Sequence, residues 1–364
     1  MTINAKHNRH IPFSLPIKIG VVGCGYWGKK IIHNLRSFNT ICVEKICDLN
    51  SFNIEEICNT YPTIKATTEF DELLDSNLDA IIIATPAISH YELAKSALES
   101  GKYVLVEKPL TVSSIQAQKL IELVDELKLT LLVGHTFEYS PAIQKVAELI
   151  SSNELGKIHY INSVRGNLGL FRSDINVLWD LAIHDLSILR YILSLHPLSV
   201  TASGKACINI NNAKNHDVAT LSLEYPQEIL ATIRVSWLEP EKIQKLTIVG
   251  DRKILVYDPV DAEAIIIYDR RVKADILNHT SINSQLSYHY GNTEYYSIDS
   301  NKPLRLELEH FVKCIQGIEK PKTDGLIGLQ MIEILEAAQQ SLMNYGSRQF
   351  LNSQPLKSVG MNKQ

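Results

Sequence analysis

Apolar runs of strand length alternate with helix-like segments through about the first 150 residues of the chain. The runs cover residues 17–22, 42–48, 79–84, 103–107 and 130–134. Because helices that alternate with strands connect them in parallel, this pattern predicts a parallel sheet. Residues 63–70 add a candidate edge strand, which would complete the strand order 3-2-1-4-5-6 of a doubly wound α/β domain. We predict that this domain covers residues 13–140.

The pattern changes in the second half of the chain to longer stretches in which apolar and polar residues alternate. This alternation is typical of an open, largely antiparallel sheet with one buried face, and such a sheet also offers an oligomer surface. A helix around 176–193 precedes most of these strands, and helical spacing returns at 304–315 and 326–342. The strand-like stretches are 157–164, 218–225, 229–238, 246–249, 254–257 and 264–268.

These elements divide the chain into two predicted domains, as its length of 364 residues also suggests. We expect an α+β domain for substrate binding and oligomerisation over 141–345, with the C-terminal helix packing back at the domain junction. Residues 1–12 and 355–364 are expected to be flexible.

The composition excludes several classes of partner. A net charge of -4 argues against nucleic acid or an anionic membrane as the main partner. The apolar runs are too short to span a bilayer, so we expect a cytoplasmic protein. The six cysteines form no CxxC pair and no cluster with histidine, and the sequence therefore predicts no metal site.

A glycine triplet follows the first apolar run. Gly23 would permit a tight turn, Gly25 would let backbone amides approach a pyrophosphate, and Gly28 would let helix and strand pack closely. Asp48 ends the second run 20 residues after Gly28, where an acid meets the ribose hydroxyls of a dinucleotide and repels a 2′-phosphate. The motif predicts NAD as cofactor, with NADP as the weaker candidate.

The aromatic residues within this motif have two interpretations. Tyr26 and Trp27 either form a wall of the cofactor pocket or belong to the core, and the bulk of Trp27 favours the core.

Three loops leave the carboxyl ends of central strands and are expected to line the cofactor crevice. One loop runs from Ala84 through Thr85 and Pro86 to His90, where the histidine either contributes to the loop or simply begins the next helix. Another holds Glu107, Lys108 and Pro109, and the third ends in Tyr139.

Lys108 is the candidate for chemistry among these loop residues. At the end of a buried strand its ammonium would donate to a hydroxyl or carbonyl oxygen in a partly desolvated cleft. The alternative is a surface lysine paired with Glu107, and position alone does not separate the two.

The second chemical candidate is the pair Asp180 and His184. Residues four apart share a helix face, so the carboxylate can orient the imidazole, which can then act as a general base towards a hydroxyl. An isolated surface pair of no consequence is the alternative.

Together the glycine turn, Asp48, the Ala84-Thr85-Pro86 and Glu107-Lys108-Pro109 loops and the Asp180/His184 pair resemble the glucose-fructose oxidoreductase, inositol dehydrogenase and rhizopine catabolism (Gfo/Idh/MocA) family. The resemblance implies a Rossmann domain, a C-terminal sheet that forms homodimers or homotetramers, and NAD(P)-dependent chemistry at a CH–OH group. It further implies that Lys108 and His184 face the substrate hydroxyl with Asp180 assisting.

Within that family the chain is similar to the branch that oxidises nucleotide-linked sugars such as UDP-N-acetylglucosaminuronate at C3. The sequence offers donors for a diphosphate or uronate carboxylate, and a solvated surface charge is the alternative for each arginine. The expected substrate-binding residues are Lys108, Tyr139, Arg165, Asn167, Arg172, Asn176 and His184.

Two other functions stay open at this point. One is a cyclitol or free-sugar dehydrogenase, or a keto-sugar reductase that runs in the opposite direction. The other is a non-catalytic NAD-binding regulatory protein, against which the joint presence of Lys108, Asp180 and His184 counts. On the preferred interpretation the protein serves carbohydrate biosynthesis.

Overall fold

The computed structural model describes residues 16–169, 171–172, 174–208, 215–259, 265–275, 285–298 and 302–352. The segments expected to be flexible, 1–12 and 355–364, lie outside these residues. The chain divides into two compact units. The first unit consists of Met1–Tyr139 with Asn301–Glu336, and the second unit of Ser140–Ser300 with Ala337–Gln364.

The described strands are β1 (Ile17–Val22), β2 (Ile41–Cys47), β3 (Lys65–Thr67), β4 (Ala80–Ile83), β5 (Tyr103–Glu107), β6 (Leu131–Gly134), β7 (Ile158–Leu168), β8 (Ser199–Lys205), β9 (Val218–Glu224), β10 (Leu230–Ser236), β11 (Leu238–Gly250), β12 (Ile254–Tyr257), β13 (Ile265–Asp275), β14 (Gln285–Tyr296) and β15 (Gln349–Phe350). The described α-helices are α1 (Tyr26–Leu35), α2 (Ser51–Thr60), α3 (Asp71–Leu74), α4 (His90–Glu99), α5 (Ser114–Leu127), α6 (Pro141–Ser151), α7 (Ile183–Leu193), α8 (Pro303–Ile315) and α9 (Gly325–Met343). A π-helix, Leu178–Ala182, precedes α7.

The first unit contains a parallel sheet in the order β3-β2-β1-β4-β5-β6, which confirms the predicted Rossmann order. All four residues of β4 are buried, as are those of β6, which explains their continuous apolar sequences. The carboxyl ends of β1, β4, β5 and β6 therefore lie along one edge of the sheet, and the three candidate loops begin there.

The helix α8 belongs to the first unit. Leu308 and Phe311 are fully buried in the same hydrophobic cluster as Ile19 of β1 and Ile32 of α1. The sequence placed residues 141–345 together in one domain, whereas the structure groups 301–336 with the first unit. Packing of this apolar helix face into the first core accounts for the difference.

The second unit contains a nine-stranded sheet in the order β14-β13-β12-β11-β7-β10-β9-β8-β15. Among the described strands of this sheet, β7 and β10 pair in parallel and all other neighbours pair antiparallel, so the predicted largely antiparallel sheet is confirmed. The sequence did not predict β8, β14 or β15. In β8 the buried positions lie within the first four residues, the alternating apolar residues of β14 are exposed, and β15 has only two residues. No described helix is both long and apolar enough to cross a membrane.

Candidate active site

The turn between β1 and α1 contains glycines of two kinds: those where a Cβ would clash and one where it would not. Gly23 has φ +89°, and a Cβ there would lie 2.5 Å from the Ala84 carbonyl oxygen; one at Gly28 would lie 1.9 Å from the Gly23 oxygen. A Cβ at Gly25 would meet nothing within 4 Å. The fold itself therefore needs Gly23 and Gly28, while Gly25 leaves open space at the start of α1, the arrangement that suits a pyrophosphate.

Asp48 is held beside this turn by three donors. The Cys24 amide donates to Oδ2 at 2.6 Å, the Asn50 amide to Oδ1 at 2.8 Å, and the Asn53 side-chain amide to Oδ2 at 3.2 Å. A carboxylate oxygen has more than one lone pair, so these bonds leave acceptor capacity for ribose hydroxyls. The turn and the acid thus fit the adenosine half of NAD, and Asn53 is a hydrogen-bond partner of Asp48 that the sequence did not reveal.

Tyr26 and Trp27 lie at the surface in the first turn of α1. They are 67% and 40% exposed, with their rings edge to face at 5.9 Å between centroids. The Lys30 ammonium lies 4.1 Å from the Tyr26 ring centroid. A place in the core, which the bulk of Trp27 favoured, is therefore wrong; the cofactor-wall interpretation stays a prediction.

His90 begins α4, and its ring is 1% exposed. Its Nδ1 lies 2.7 Å from the Pro109 carbonyl oxygen and its Nε2 lies 2.9 Å from the Thr85 carbonyl oxygen. The imidazole therefore joins the loop that follows β4 to the loop that follows β5. In the first of these loops the hydroxyls of Thr85 and Ser89 are 2.7 Å apart.

Lys108 is half-buried at the end of β5 and follows the buried Glu107. Burial raises the pKa of Glu107 to about 7, although the positive charge of Lys108 opposes the rise. Burial, and then the charge of Glu107, raises the pKa of Glu307 on α8, whose Oε2 accepts a hydrogen bond from Thr136 at 2.9 Å. With Glu138 nearby, the strand end carries a set of buried carboxyls that the sequence did not bring together.

Tyr139 is 2% exposed in the first unit. Its hydroxyl lies 3.2 Å from the Thr323 hydroxyl, which in turn donates to the Val133 carbonyl oxygen at 2.7 Å. The structure thus gives this side chain a partner within its own core. Substrate binding by Tyr139 stays a prediction.

Asp180 and His184 lie in the second unit on one helical segment. This segment changes from a π-helix to an α-helix between them. Asp180 is within the π-helix and His184 is in the first turn of α7, and both are half-buried. A π-helix is a local irregularity that recurs at functional sites, and no pattern in the sequence predicted it. Asn176 caps its start, since its Oδ1 accepts from the Leu178 amide at 3.1 Å.

The four residues predicted to bind a diphosphate or carboxylate lie in different surroundings in the second unit. Arg165 is buried and donates to both oxygens of Asp185, at 2.7 and 3.1 Å. Arg172 forms a similar pair of bonds to Asp174, at 3.0 and 2.8 Å. Asn176 donates to the Gln339 side chain at 2.7 Å.

Asn167, the fourth, is exposed at the end of β7. Both guanidinium groups therefore bind carboxylates of the chain itself. Substrate binding by all four residues stays a prediction.

Trp237 is a further residue that the sequence did not single out. Its indole Nε1 donates to Asp180 Oδ2 at 3.1 Å across 57 residues of sequence. Only the folding of the sheet brings the two together.

Two family models match the chain. One, described as an oxidoreductase family with an NAD-binding Rossmann fold, matches residues 17–135, and the other, the GFO/IDH/MocA C-terminal domain, matches residues 143–256. The chain belongs to the Gfo/Idh/MocA oxidoreductase family. The resemblance stated from the sequence is thereby confirmed at the level of the family.

Relatives of this Gfo/Idh/MocA chain act on different substrates. It is 25% identical to the UDP-N-acetylglucosamine 3-dehydrogenase of Acidithiobacillus ferrooxidans, over 87% of this chain and 94% of the relative. It is 24% identical to the myo-inositol 2-dehydrogenase of Thermotoga maritima, over 90% of this chain and 96% of the relative.

A solved structure shares the fold. The WlbA dehydrogenase from Bordetella pertussis, in complex with NADH and UDP-GlcNAcA, superposes with a TM-score of 0.77 at 18% identity. The match covers 94% of this chain and 100% of that one.

These findings confirm NAD as cofactor and a dehydrogenase or reductase acting on CH–OH groups of sugar-type molecules. They leave the branch of the family open, because relatives that act on nucleotide sugars and on cyclitols match about equally well.

Proposed function

We propose that the protein oxidises a secondary hydroxyl of a nucleotide-linked sugar at C3, with NAD as oxidant. The observation that carries this proposal is the relative named UDP-N-acetylglucosamine 3-dehydrogenase, matched over 87% of this chain. The proposal assigns residues 13–140 to cofactor binding and residues 141–345 to the substrate, apart from α8, which the structure groups with the first unit.

When bound, NAD accepts a hydride at its nicotinamide ring. The backbone at Gly25, where the space is open, would approach its pyrophosphate, and the Asp48 carboxylate would accept from its ribose hydroxyls. An acid at this position favours an unmodified ribose, because it would repel the 2′-phosphate of NADP.

His184 takes the proton of the substrate hydroxyl in the proposed reaction, and Asp180 orients the imidazole and holds its tautomer. Lys108 donates a hydrogen bond to the same oxygen as negative charge develops on it. Its half-buried position at a strand end strengthens this interaction, since fewer water molecules screen the ammonium.

A substrate panel tests the proposal. Purified protein is incubated with NAD and, separately, UDP-N-acetylglucosamine, UDP-N-acetylglucosaminuronate, myo-inositol or glucose, and NADH formation is followed by absorbance. We expect the highest kcat/KM with a UDP-sugar, and a 3-keto product by mass spectrometry and NMR. A His184→Ala variant, expected to lose turnover while still binding NAD by calorimetry, separates catalysis from binding.

A cyclitol dehydrogenase is the second candidate, which the match to myo-inositol 2-dehydrogenase over 90% of this chain favours. Preference for myo-inositol over both UDP-sugars would establish it and refute the first proposal. Binding of NAD without turnover on any compound, in either direction, would instead indicate a regulatory protein.

A further inference from the structure

We infer that Trp237 is a positioning residue for the Asp180 carboxylate, an inference that rests on the proposed role of Asp180 in orienting His184. Trp237 lies between the end of β10 and the start of β11 and is 1% exposed. Its indole N–H donates to Asp180 Oδ2 at 3.1 Å. A residue of the sheet thereby holds a side chain of the π-helix.

The direction of this N–H is fixed by the backbone around it. The Trp237 amide donates to the Asp217 carbonyl oxygen at 2.9 Å, and the Trp237 carbonyl oxygen accepts from the Gly169 amide at 3.2 Å. The Phe171 ring meets the indole edge to face, at 5.5 Å between centroids. Because both the backbone and the ring are held, the indole is organised before any ligand binds.

The other oxygen of Asp180 faces a positive charge. Oδ1 lies 3.8 Å from Nη1 of Arg172, too far for a hydrogen bond but within ion-pair range. The guanidinium is itself fixed by its two bonds to Asp174. The indole therefore supplies a directional contact to Asp180, and Arg172 adds a positive charge near its other oxygen.

Asp180 lies in the π-helix, where a contact from outside the helix can set the direction of its carboxylate. The hydrogen-bond pattern of a π-helix differs from that of an α-helix, so the face on which Asp180 and His184 would meet is less strictly set by the helix itself. A carboxylate held towards the imidazole favours its protonated form and raises its basicity. A carboxylate free to turn away would give a weaker base.

The Trp237→Phe variant tests the inference because it keeps an aromatic ring at this buried position and removes the N–H donor, together with part of the volume of the indole. We expect kcat to fall by about tenfold, since small displacements of catalytic groups have effects of this size or larger, with KM for NAD unchanged. The acidic limb of the pH profile of kcat/KM should move to lower pH, because an imidazole that loses its carboxylate neighbour has a lower pKa.

A double-mutant comparison shows whether Trp237 acts through Asp180. In an Asp180→Asn background the Trp237→Phe change should have little further effect on kcat. Effects that simply multiply would overturn the inference, as would a Trp237→Phe variant with wild-type kcat and pH profile. The matched control is Tyr225→Phe, which removes the polar group of another buried aromatic residue of the second unit and leaves the indole untouched; it should leave kcat and the acidic limb in place.

Two further measurements keep the test decisive. Should Trp237→Phe fail to fold, 3-benzothienylalanine incorporated at position 237 replaces the N–H by sulfur in a ring of similar shape. The contact itself is detected by NMR through the indole ¹⁵N–¹H resonances, and the Trp237 resonance should shift in Asp180→Asn.

The outcomes distinguish the two proposals. If that shift is seen but Asp180→Asn and His184→Ala retain full turnover, the proposed function fails and the positioning role fails with it. A shift with impaired Asp180→Asn but normal Trp237→Phe overturns the positioning role alone.

Discussion

At the scale of single residues, the described contacts separate side chains that the fold needs from side chains left for a ligand. Gly28 could not be replaced without a clash with the Gly23 carbonyl oxygen, whereas Gly25 faces open space. His310 and Cys314 show that geometry alone is a poor guide to chemistry. Their Nε2 and Sγ atoms are 3.4 Å apart, but burial raises the pKa of the thiol to about 12, so it is not a nucleophile at neutral pH.

Lys108 provides the prediction at this scale. The Lys108→Ala variant should lower kcat by about a hundredfold, because a donor aimed at developing negative charge contributes a few kcal/mol to transition-state stabilisation. Steady-state kinetics with the preferred substrate measures the effect. The exposed Lys119 on α5 supplies the control, since its replacement by alanine should change kcat little. Near-normal kcat in Lys108→Ala would contradict the assigned role.

At the scale of elements, the sequence predicted the six strands and the order of the first sheet, because parallel strands buried on both faces have continuous apolar sequences. It did not predict β14, in which Leu286, Tyr288 and Tyr290 alternate with polar residues but are exposed. The π-helix before α7 was also missed, since a period of about four residues suits either helix type.

The packing of α8 against the first unit gives a prediction for pH dependence. Glu107 and Glu307 are buried, and the pKa of each is raised above its value of 4.5 in the unfolded chain. The folded state therefore binds more protons than the unfolded state between about pH 4.5 and 7, and the free energy of unfolding falls as the pH rises through this range.

The Glu307→Gln variant should reduce this loss of stability, because it removes one of the two buried charges and leaves an acceptor for the Thr136 hydroxyl. Denaturant unfolding at about pH 5 and about pH 8 measures the difference. Glu126→Gln, at an exposed position on α5, is the matched control and should behave like wild type. An unchanged pH dependence in Glu307→Gln would show that this carboxyl does not titrate as described.

At the scale of the whole molecule, the second sheet exposes apolar side chains on one face. Tyr288 and Tyr290 of β14 are 62% and 74% exposed, and Val272, the partner of Tyr288 on β13, is 58% exposed. Contiguous apolar exposure of this kind marks an interaction surface. It supports the expectation, stated from the sequence, that the protein is a homo-oligomer through this sheet.

The double variant Tyr288→Glu/Tyr290→Glu tests that expectation. Charges in an apolar interface are costly to desolvate, so the variant should sediment as a monomer where the wild type sediments as a dimer or tetramer. The control is Ile115→Glu on α5, which changes an exposed apolar residue of the first unit and should leave the mass unaltered. A wild-type protein that is monomeric at micromolar concentration would refute the expectation.

The sequence by itself determined the doubly wound first sheet, the glycine turn with Asp48, the family and therefore NAD-dependent redox chemistry. The sheet and the turn follow from local spacing, since strand burial and turn geometry act over a few residues, whereas the family was identified from the resemblance of the combined motifs. Only the tertiary structure decided that Glu307 lies beside Glu107, that α8 joins the first unit, and that Trp237 holds Asp180. These contacts join residues far apart in the chain, and their partners depend on how whole elements pack, which no local pattern encodes.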